Sequence, residues 1–567
     1  MKFYNKILIA LIFVLTVGAC TSKFDEINTN PSVIEVEDAS AKYFLTELMV
    51  RIYIPTRFAY WRGNLIHADR YAGHATFGHS SSWWSDELGY AYSGGYTNAA
   101  WGHYNGLVSN VKSLLNFTQP GGTFENELTH AVVIILKSHY YQLYTDTFGD
   151  IPYSELFMEG IDLPKYDSQK DIYKGIIAEL DQAMATIGTS TSTGDADEDL
   201  GDNDLFFKGD LQKWKRFANT LKLKIAMRAN GASGDDFSTA AITAALAGDL
   251  LAEGESALID KDLVISQWSY ATYGDVWYSF GAGSDWMIGR ELVNYLRDNN
   301  DPRLKLYTKP SQGGDFTLTR PDEVDDPDGF ALFPKRAAFI KSVFDEANAD
   351  YDWDDQGSVI NITMPEDENY IGQPVRLNGP MASFAKYGFF SRPSEEVIRK
   401  KNTGGTATPE TVLLSAESFF LQAQAAVMGI GSGDAQALYE KGIKEAMKIW
   451  GIDDGSIETY IATEAMATLT GGTQAEMLEK IAVQRWIANY TDGFEAWAIT
   501  RKTGYPSTLA GGVSDFDIYG PGTIAVGGYP QRMRYGSGAQ AANPANFDAA
   551  IARQGADLQQ TKLWFAK

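Results

Sequence analysis

The chemistry this sequence offers most freely is that of aromatic rings set among small polar residues. Between Tyr60 and Tyr104 the chain carries Trp61, Tyr71, Trp83, Trp84, Tyr90, Tyr92, Tyr96, Trp101 and Tyr104 among Gly, Ser and His. A second run, Gln267 to Trp286, holds Trp268, Tyr270, Tyr273, Trp277, Tyr278, Phe280 and Trp286. An aromatic face is a flat apolar platform with negative charge density. The C–H face of a sugar ring packs on it, while nearby Asp, Asn or Arg side chains bond to the hydroxyls; the same surface stacks on peptide aromatics or cations. Trp83, Trp84, Tyr90, Tyr92 and Tyr96 from the first run, and Trp268, Tyr270, Tyr273, Trp277 and Tyr278 from the second, are the candidate ligand-binding residues, with Asp69 and Arg70 as polar partners. The competing reading is that these rings fill the core or seat on a partner protein. Trp101 and Tyr104 fall on a predicted helix over 96–115 and belong to the core.

Catalytic patterns are absent. The chain has no G-x-S-x-G, no G-x-x-x-x-G-K-[ST] and no H-E-x-x-H. His74 and His79 are spaced so that a helix would not bring them to one face, which makes a weak metal pair. The acidic stretches Asp322–Asp328 and Asp345–Asp355 read as solvated loops; calcium, which takes several oxygen ligands, is the one cofactor they could hold, but the D-x-D-x-D-G spacing is missing. With 73 Asp and Glu residues, close carboxylate pairs arise by chance, and no pair stands out for glycoside hydrolysis. These observations favour a binding protein over an enzyme. A net charge of −25 repels nucleic acid, so no polynucleotide partner is expected.

Helices must position these rings. Leu128, Val132, Ile135, His139, Tyr140 and Leu143 recur at helical spacing, and Gly149 and Pro152 interrupt the pattern. Ser168 and Asp171 form a capping box, and Ile172, Ile176, Leu180, Ala183 and Ile187 give the next apolar stripe. Asp210 caps a helix with Trp214, Phe217, Ala218, Leu221 and Ile225 on one face; its Lys213, Lys215, Arg216, Lys222, Lys224 and Arg228 are expected to pair with carboxylates. Further helices are predicted over 39–53, over the stretch ending at Asn300-Asp301-Pro302, and as a hairpin from Ser415 to Trp450 turning at Gly429, Gly431 and Gly433. The fold class is mainly α, built of helical hairpins with long irregular insertions.

At the N-terminus, Lys2 and Lys6 precede an apolar run from Ile7 to Val17, too short to span a bilayer. Gly18-Ala19-Cys20 follows, and Cys20 is the only cysteine in the 567 residues. The pattern resembles a lipoprotein signal: residues 1–19 form the signal peptide, Cys20 carries the lipid and 20–38 form a tether. With several acyl chains the anchor would be permanent. The acidic Asp25-Glu26 near the anchor resembles the surface-display signal of Bacteroidetes lipoproteins.

YTDTFGDIPYSEL with DIYKGIIAELDQAM, GDLQKWKRFANTLKLKIAMR, LEKIAVQRWIANYTDGFEAWAITRKTGYP and GGYPQRMRY together resemble the SusD/RagB family of outer-membrane nutrient-binding lipoproteins. The resemblance implies one SusD-like domain over 39–567. Its tetratricopeptide-type scaffold would span 39–256 and 410–506, its variable insertion 257–409, and its irregular C-terminal segment 507–567. It implies that the protein binds an oligo- or polysaccharide at the cell surface and delivers it to a SusC-like TonB-dependent transporter. A peptide-binding importer of the same architecture, and a scaffold of the transporter complex that binds no ligand, remain the alternatives.

Overall fold

The computed structural model describes residues 39–53, 59–77, 90, 94–195, 198–259, 286–397, 409–520, 524 and 527–567. Helical hairpins build most of it. The first half runs α1 (Ala41–Tyr53), a π-helix (Tyr60–Asp69), β1 (Ala75–Phe77), α2 (Gly94–Thr118) and α3 (Glu127–Phe148). After α3 come β2 (Ile151–Pro152), β3 (Tyr166–Asp167), α4 (Gln169–Ile187), α5 (Leu211–Ala229) and α6 (Ser238–Leu246). The caps fall where side-chain chemistry places them. The Asn126 side chain accepts from the N–H groups of Leu128 and Thr129, Ser168 from that of Asp171, and Asp210 from those of Gln212 and Lys213. Of the predicted stripes, Val132, Ile135, His139 and Tyr140, and Ile172, Ile176, Leu180, Ala183 and Ile187, are buried, while Leu128 and Leu143 are half-buried against the same core.

The elbow after α3 is held by the far end of the chain. The Asp150 N–H donates to Gln554 Oε1 at 3.1 Å, Arg553 Nε to Asp150 Oδ2 at 2.6 Å, and the Met533 N–H to the Thr147 carbonyl at 3.0 Å. Gly149 turns the chain with φ +87°, and a Cβ there would stand 2.2 Å from Gln554 Oε1 and 2.8 Å from Leu563. Beneath it lies a buried ionic network. Arg228 of α5 bridges Asp146 of α3 and Glu495, and Lys224 reaches Glu495 at 3.2 Å. Elsewhere on the α5 basic stripe, Arg216 grips Glu255 through two bonds and Lys222 meets Asp181 at 2.6 Å, as expected, whereas Lys215 donates to the Gly188 carbonyl at 2.8 Å.

The middle of the chain is more ordered than its sequence pattern implies. It contains β4 (Ala257–Ile259), β5 (Trp286–Ile288), α7 (Arg290–Asp298), β6 (Thr308–Ser311), β7 (Gly314–Thr319), α8 (Pro327–Glu346), β8 (Asp352–Asp355), β9 (Val359–Met364) and β10 (Ser391–Pro393). The acidic stretches expected as loops are element ends. Asp326 caps α8 by accepting from the Gly329 N–H at 2.8 Å, and Asp352–Asp355 is the edge strand of the antiparallel sheet β7–β9–β8. Leu318, Ile360, Ile362 and Met364 project inward from that sheet onto Phe333, Ile340 and Phe344 of α8, forming a second core beside the helical one. Among the described residues no group of three or more His, Cys, Asp or Glu gathers as a metal site.

The chain then returns to helices. β11 (Glu410–Leu413) pairs with β4, and α9 (Ser415–Val427), α10 (Ala435–Lys448), α11 (Gln474–Ala488), α12 (Gly493–Thr503) and α13 (Pro544–Gln554) follow. No described helix is long and apolar enough to cross a membrane.

Gly149→Ala should lose about 2–4 kcal/mol of stability, because it adds left-handed strain to a clash with the C-terminal segment. Urea unfolding measures this, and a loss below about 0.5 kcal/mol would show that the elbow tolerates a side chain.

Candidate functional site

Strands β1 and β5 form a short antiparallel ladder in the register Ala75↔Ile288, Thr76↔Met287, Phe77↔Trp286. Phe77 precedes Trp83, Trp84, Tyr90, Tyr92 and Tyr96 of the first run, and Trp286 closes the second. The two runs that the sequence separates are therefore tied, through these residues, to one end of one ladder. The ladder continues into a third segment: the Gln373 N–H donates to Ile288 O at 2.9 Å, and the Arg290 N–H donates to Gln373 O at 2.9 Å. Gly289 sits at this three-way crossing, where a Cβ would lie 1.9 Å from the Gly73 carbonyl oxygen. Only a residue without a side chain lets the three backbones meet there.

Helix α7 starts at this crossing and presents Arg290, Asn294 and Asp298 at four-residue spacing, with Glu291, Tyr295 and Asn299 one position on. These residues form one wall of a cleft of about 600 Å³. The opposite walls are Pro374–Arg376, Thr508–Asp515 and Tyr519, with Tyr90 between them. Arg376 fastens the walls together. It is buried at φ +70°, its guanidinium lies 4.4 Å from the centre of the Tyr90 ring, and Nη1 donates to the carbonyls of Gly527 at 2.9 Å and Gly528 at 3.2 Å. A long side chain held at positive φ marks a strained position, of the sort that clusters at ligand clamps. Tyr295 packs edge-on to Trp486 at 6.2 Å and Tyr519 edge-on to Phe339 at 5.7 Å, so each ring is held from behind. The dimensions suit a small ligand or a short piece of a polymer.

Of the residues singled out in the sequence, Tyr90 lines this cleft. Tyr96 is half-buried 5.7 Å from Trp61, with the Arg62 guanidinium 5.1 Å from its ring centre. Trp83, Trp84, Tyr92, Trp268, Tyr270, Tyr273, Trp277, Tyr278 and Cys20 lie outside the described residues. Asp69 and Arg70 are fully buried, so they are not presented to solvent as polar partners for a ligand. His74 is buried too, with Nε2 3.1 Å from the Trp486 carbonyl, and burial lowers its pKa to about 3. Arg290, Asn294, Tyr295, Glu346, Arg376 and Tyr519 carried no signal in the sequence, since they come from segments with unrelated patterns.

Asp69 belongs to an interior group of carboxylates with Glu410 and Asp492. Burial first, then the Asp492 and Glu410 charges, push its pKa well above the usual range. Burial and the Glu495 charge raise Asp492 to about 7. Its folded pKa therefore exceeds the ordinary value of about 4. The stability contributed by proton uptake is full below about pH 4 and is lost as pH rises through about 7. Thermal midpoints measured from about pH 5 to pH 8 should fall, and should fall less in Asp492→Asn, which keeps the helix cap. Equal slopes would dissociate Asp492 from that loss.

The whole is a scaffold of helical hairpins with a cleft where an inserted second core meets the first. The chain belongs to the SusD-like family: the family described as starch-binding, associating with the outer membrane, matches residues 42–319 and 360–535. Solved structures share the fold. A chitin-binding protein is similar at 24% identity with a TM-score of 0.68, over 93% of this chain and 99% of that one. A chitin-binding SusD homologue from Flavobacterium johnsoniae is similar at 22% identity and TM-score 0.69, over 92% and 98%. A SusD homologue from Bacteroides uniformis is similar at 20% identity and TM-score 0.70, over 94% and 100%. No curated protein matches the sequence.

Proposed function

We propose that the protein is a lipid-anchored outer-membrane component that captures an oligo- or polysaccharide outside the cell and passes it to a SusC-like TonB-dependent transporter, with no bond chemistry of its own. The observation that carries this reading is the Phe77↔Trp286 register, which ties both aromatic-rich stretches to one place. Two half-buried tyrosines, Tyr295 and Tyr519, line the neighbouring cleft with the buried Tyr90 behind them, and hydroxyl, amide and carboxylate groups surround them. Rings supply apolar platforms for sugar faces, and the polar groups answer the hydroxyls. The family's description as starch-binding and the chitin-binding names of two relatives support a saccharide over a peptide. Handover follows from differential affinity: a saccharide held in one state of the assembly is released when the transporter favours another.

Calorimetric titration of the soluble form from Thr21, without the anchor residue, against several glycans and a peptide mixture tests the ligand. Tyr295→Ala, Trp83→Ala and Trp268→Ala should each weaken saccharide binding about tenfold, near 1.4 kcal/mol, while leaving the fold intact. Unchanged affinity in all three variants, or saturable binding to peptides alone, would overturn the reading. The anchor is tested separately. Cys20→Ser should move the protein from the membrane fraction to the soluble one, and continued membrane attachment would refute lipidation at that residue.

A further inference from the structure

The cleft is rich in formal charge, and among its described residues that charge is already answered. Arg290 is ion-paired with Glu346, whose other oxygen accepts from Asn294 Nδ2 at 2.8 Å. Asp298 is held by Arg297 at 2.7 Å, and Asp515 by Lys335 at 2.8 Å. Arg376 directs its donors to backbone carbonyls and its face to Tyr90. Burial disfavours the charged form of Glu291, whose side chain also meets Thr508. What the cleft still presents is the half-buried rings of Tyr295 and Tyr519 and the uncharged groups of Thr508, Ser514 and Asn299.

We propose that this cleft selects uncharged saccharides, and that Glu346 sets the selectivity by keeping Arg290 in an ion pair. The inference rests on the saccharide-binding reading of the same cleft. A uronate or sulfated sugar needs a cation with open hydrogen-bonding capacity. Arg290 is the partly exposed guanidinium of the wall, with 26% of its side chain accessible, and Glu346, paired with its Nη2, neutralises its charge. Arg376 is buried and turned to carbonyls. A cationic amino sugar meets the converse obstacle, since Asp298 and Asp515 already have partners. A charged ligand would have to break one of these pairs and leave a charge uncompensated, whereas an uncharged one displaces only water. The net charge of −25 adds a long-range barrier to polyanions.

The soluble form from Thr21 is titrated with chitin oligomers and a β-glucan as uncharged probes, oligogalacturonate as the anionic probe and glucosamine oligomers as the cationic one, at about 50 and about 500 mM salt. An uncharged probe should bind with a Kd that changes less than about twofold between the two, and both charged probes should bind at least about tenfold more weakly. In Glu346→Gln the affinity ratio of oligogalacturonate to the uncharged probe should rise about tenfold or more at low salt. The double variant with Arg290→Gln should return that ratio to the parent value. Preference of the parent for a charged probe, a Kd that weakens severalfold with salt, or an unmoved ratio in Glu346→Gln would overturn the selectivity and leave saccharide binding standing. Failure of every saccharide to bind would overturn both.

Discussion

The structure turns on Arg228. One guanidinium joins Asp146 at the end of α3 to Glu495 at the start of α12, inside the protein where water cannot screen any of the three. Burial opposes the Glu495 charge, and Arg228 with Lys224 overcomes it, so the carboxyl lies well below its usual pKa. A buried pair of this kind adds little net stability, but removing one partner costs about 3–5 kcal/mol because the other is left charged in a medium that cannot solvate it. The network therefore acts chiefly as a specification. It lets α3, α5 and α12 meet in one arrangement, and the elbow Gly149–Asp150 and the C-terminal segment then close over it.

From that frame the cleft follows as a boundary. The helical core and the smaller core of α8 and the β7–β9–β8 sheet are both apolar inside, and each must end in polar groups where they meet. Where the two polar margins face each other without closing, α7, residues 374–376 and residues 508–519 leave the cleft. Arg376 holds the margins at a fixed spacing by binding carbonyls of the C-terminal segment and stacking on Tyr90.

α4 and α5 were legible in the sequence because each shows apolar residues at helical spacing behind a capping residue, Ser168 or Asp210, whereas α6, α7, α9 and α13 start without a side-chain cap. The π-helix Tyr60–Asp69 was hidden because Gly63 and Asn64 break the pattern that its neighbours would make. The insertion was misread because acidic residues mask its elements: Asp326 is a cap and Asp352–Asp355 an edge strand, where exposed carboxylates discourage pairing with another chain. Of the aromatic residues singled out, Tyr90 lines the cleft, and Phe77 and Trp286, which flank the two aromatic runs, face each other across one ladder. The polar half of the site was out of reach. Asp69 and Arg70 sit beside those rings in sequence but face inward, whereas Arg290, Glu346 and Tyr519 are brought together only by tertiary packing.

The ladder of Phe77 and Trp286 has a consequence for the order of events in folding. Its strands are three residues each and are separated by most of the N-terminal helical half. Closing so long a loop for so few hydrogen bonds is unfavourable until neighbouring surfaces are in place. The crossing at Gly289 also needs Gln373, and the cleft needs residues beyond 500. Helical hairpins such as α3–α4 can form from local contacts as the chain emerges, but the place to which both aromatic stretches are tied is assembled last. A nascent chain can thus own nearly all of its helices before the cleft exists, because the cleft needs the C-terminal residues.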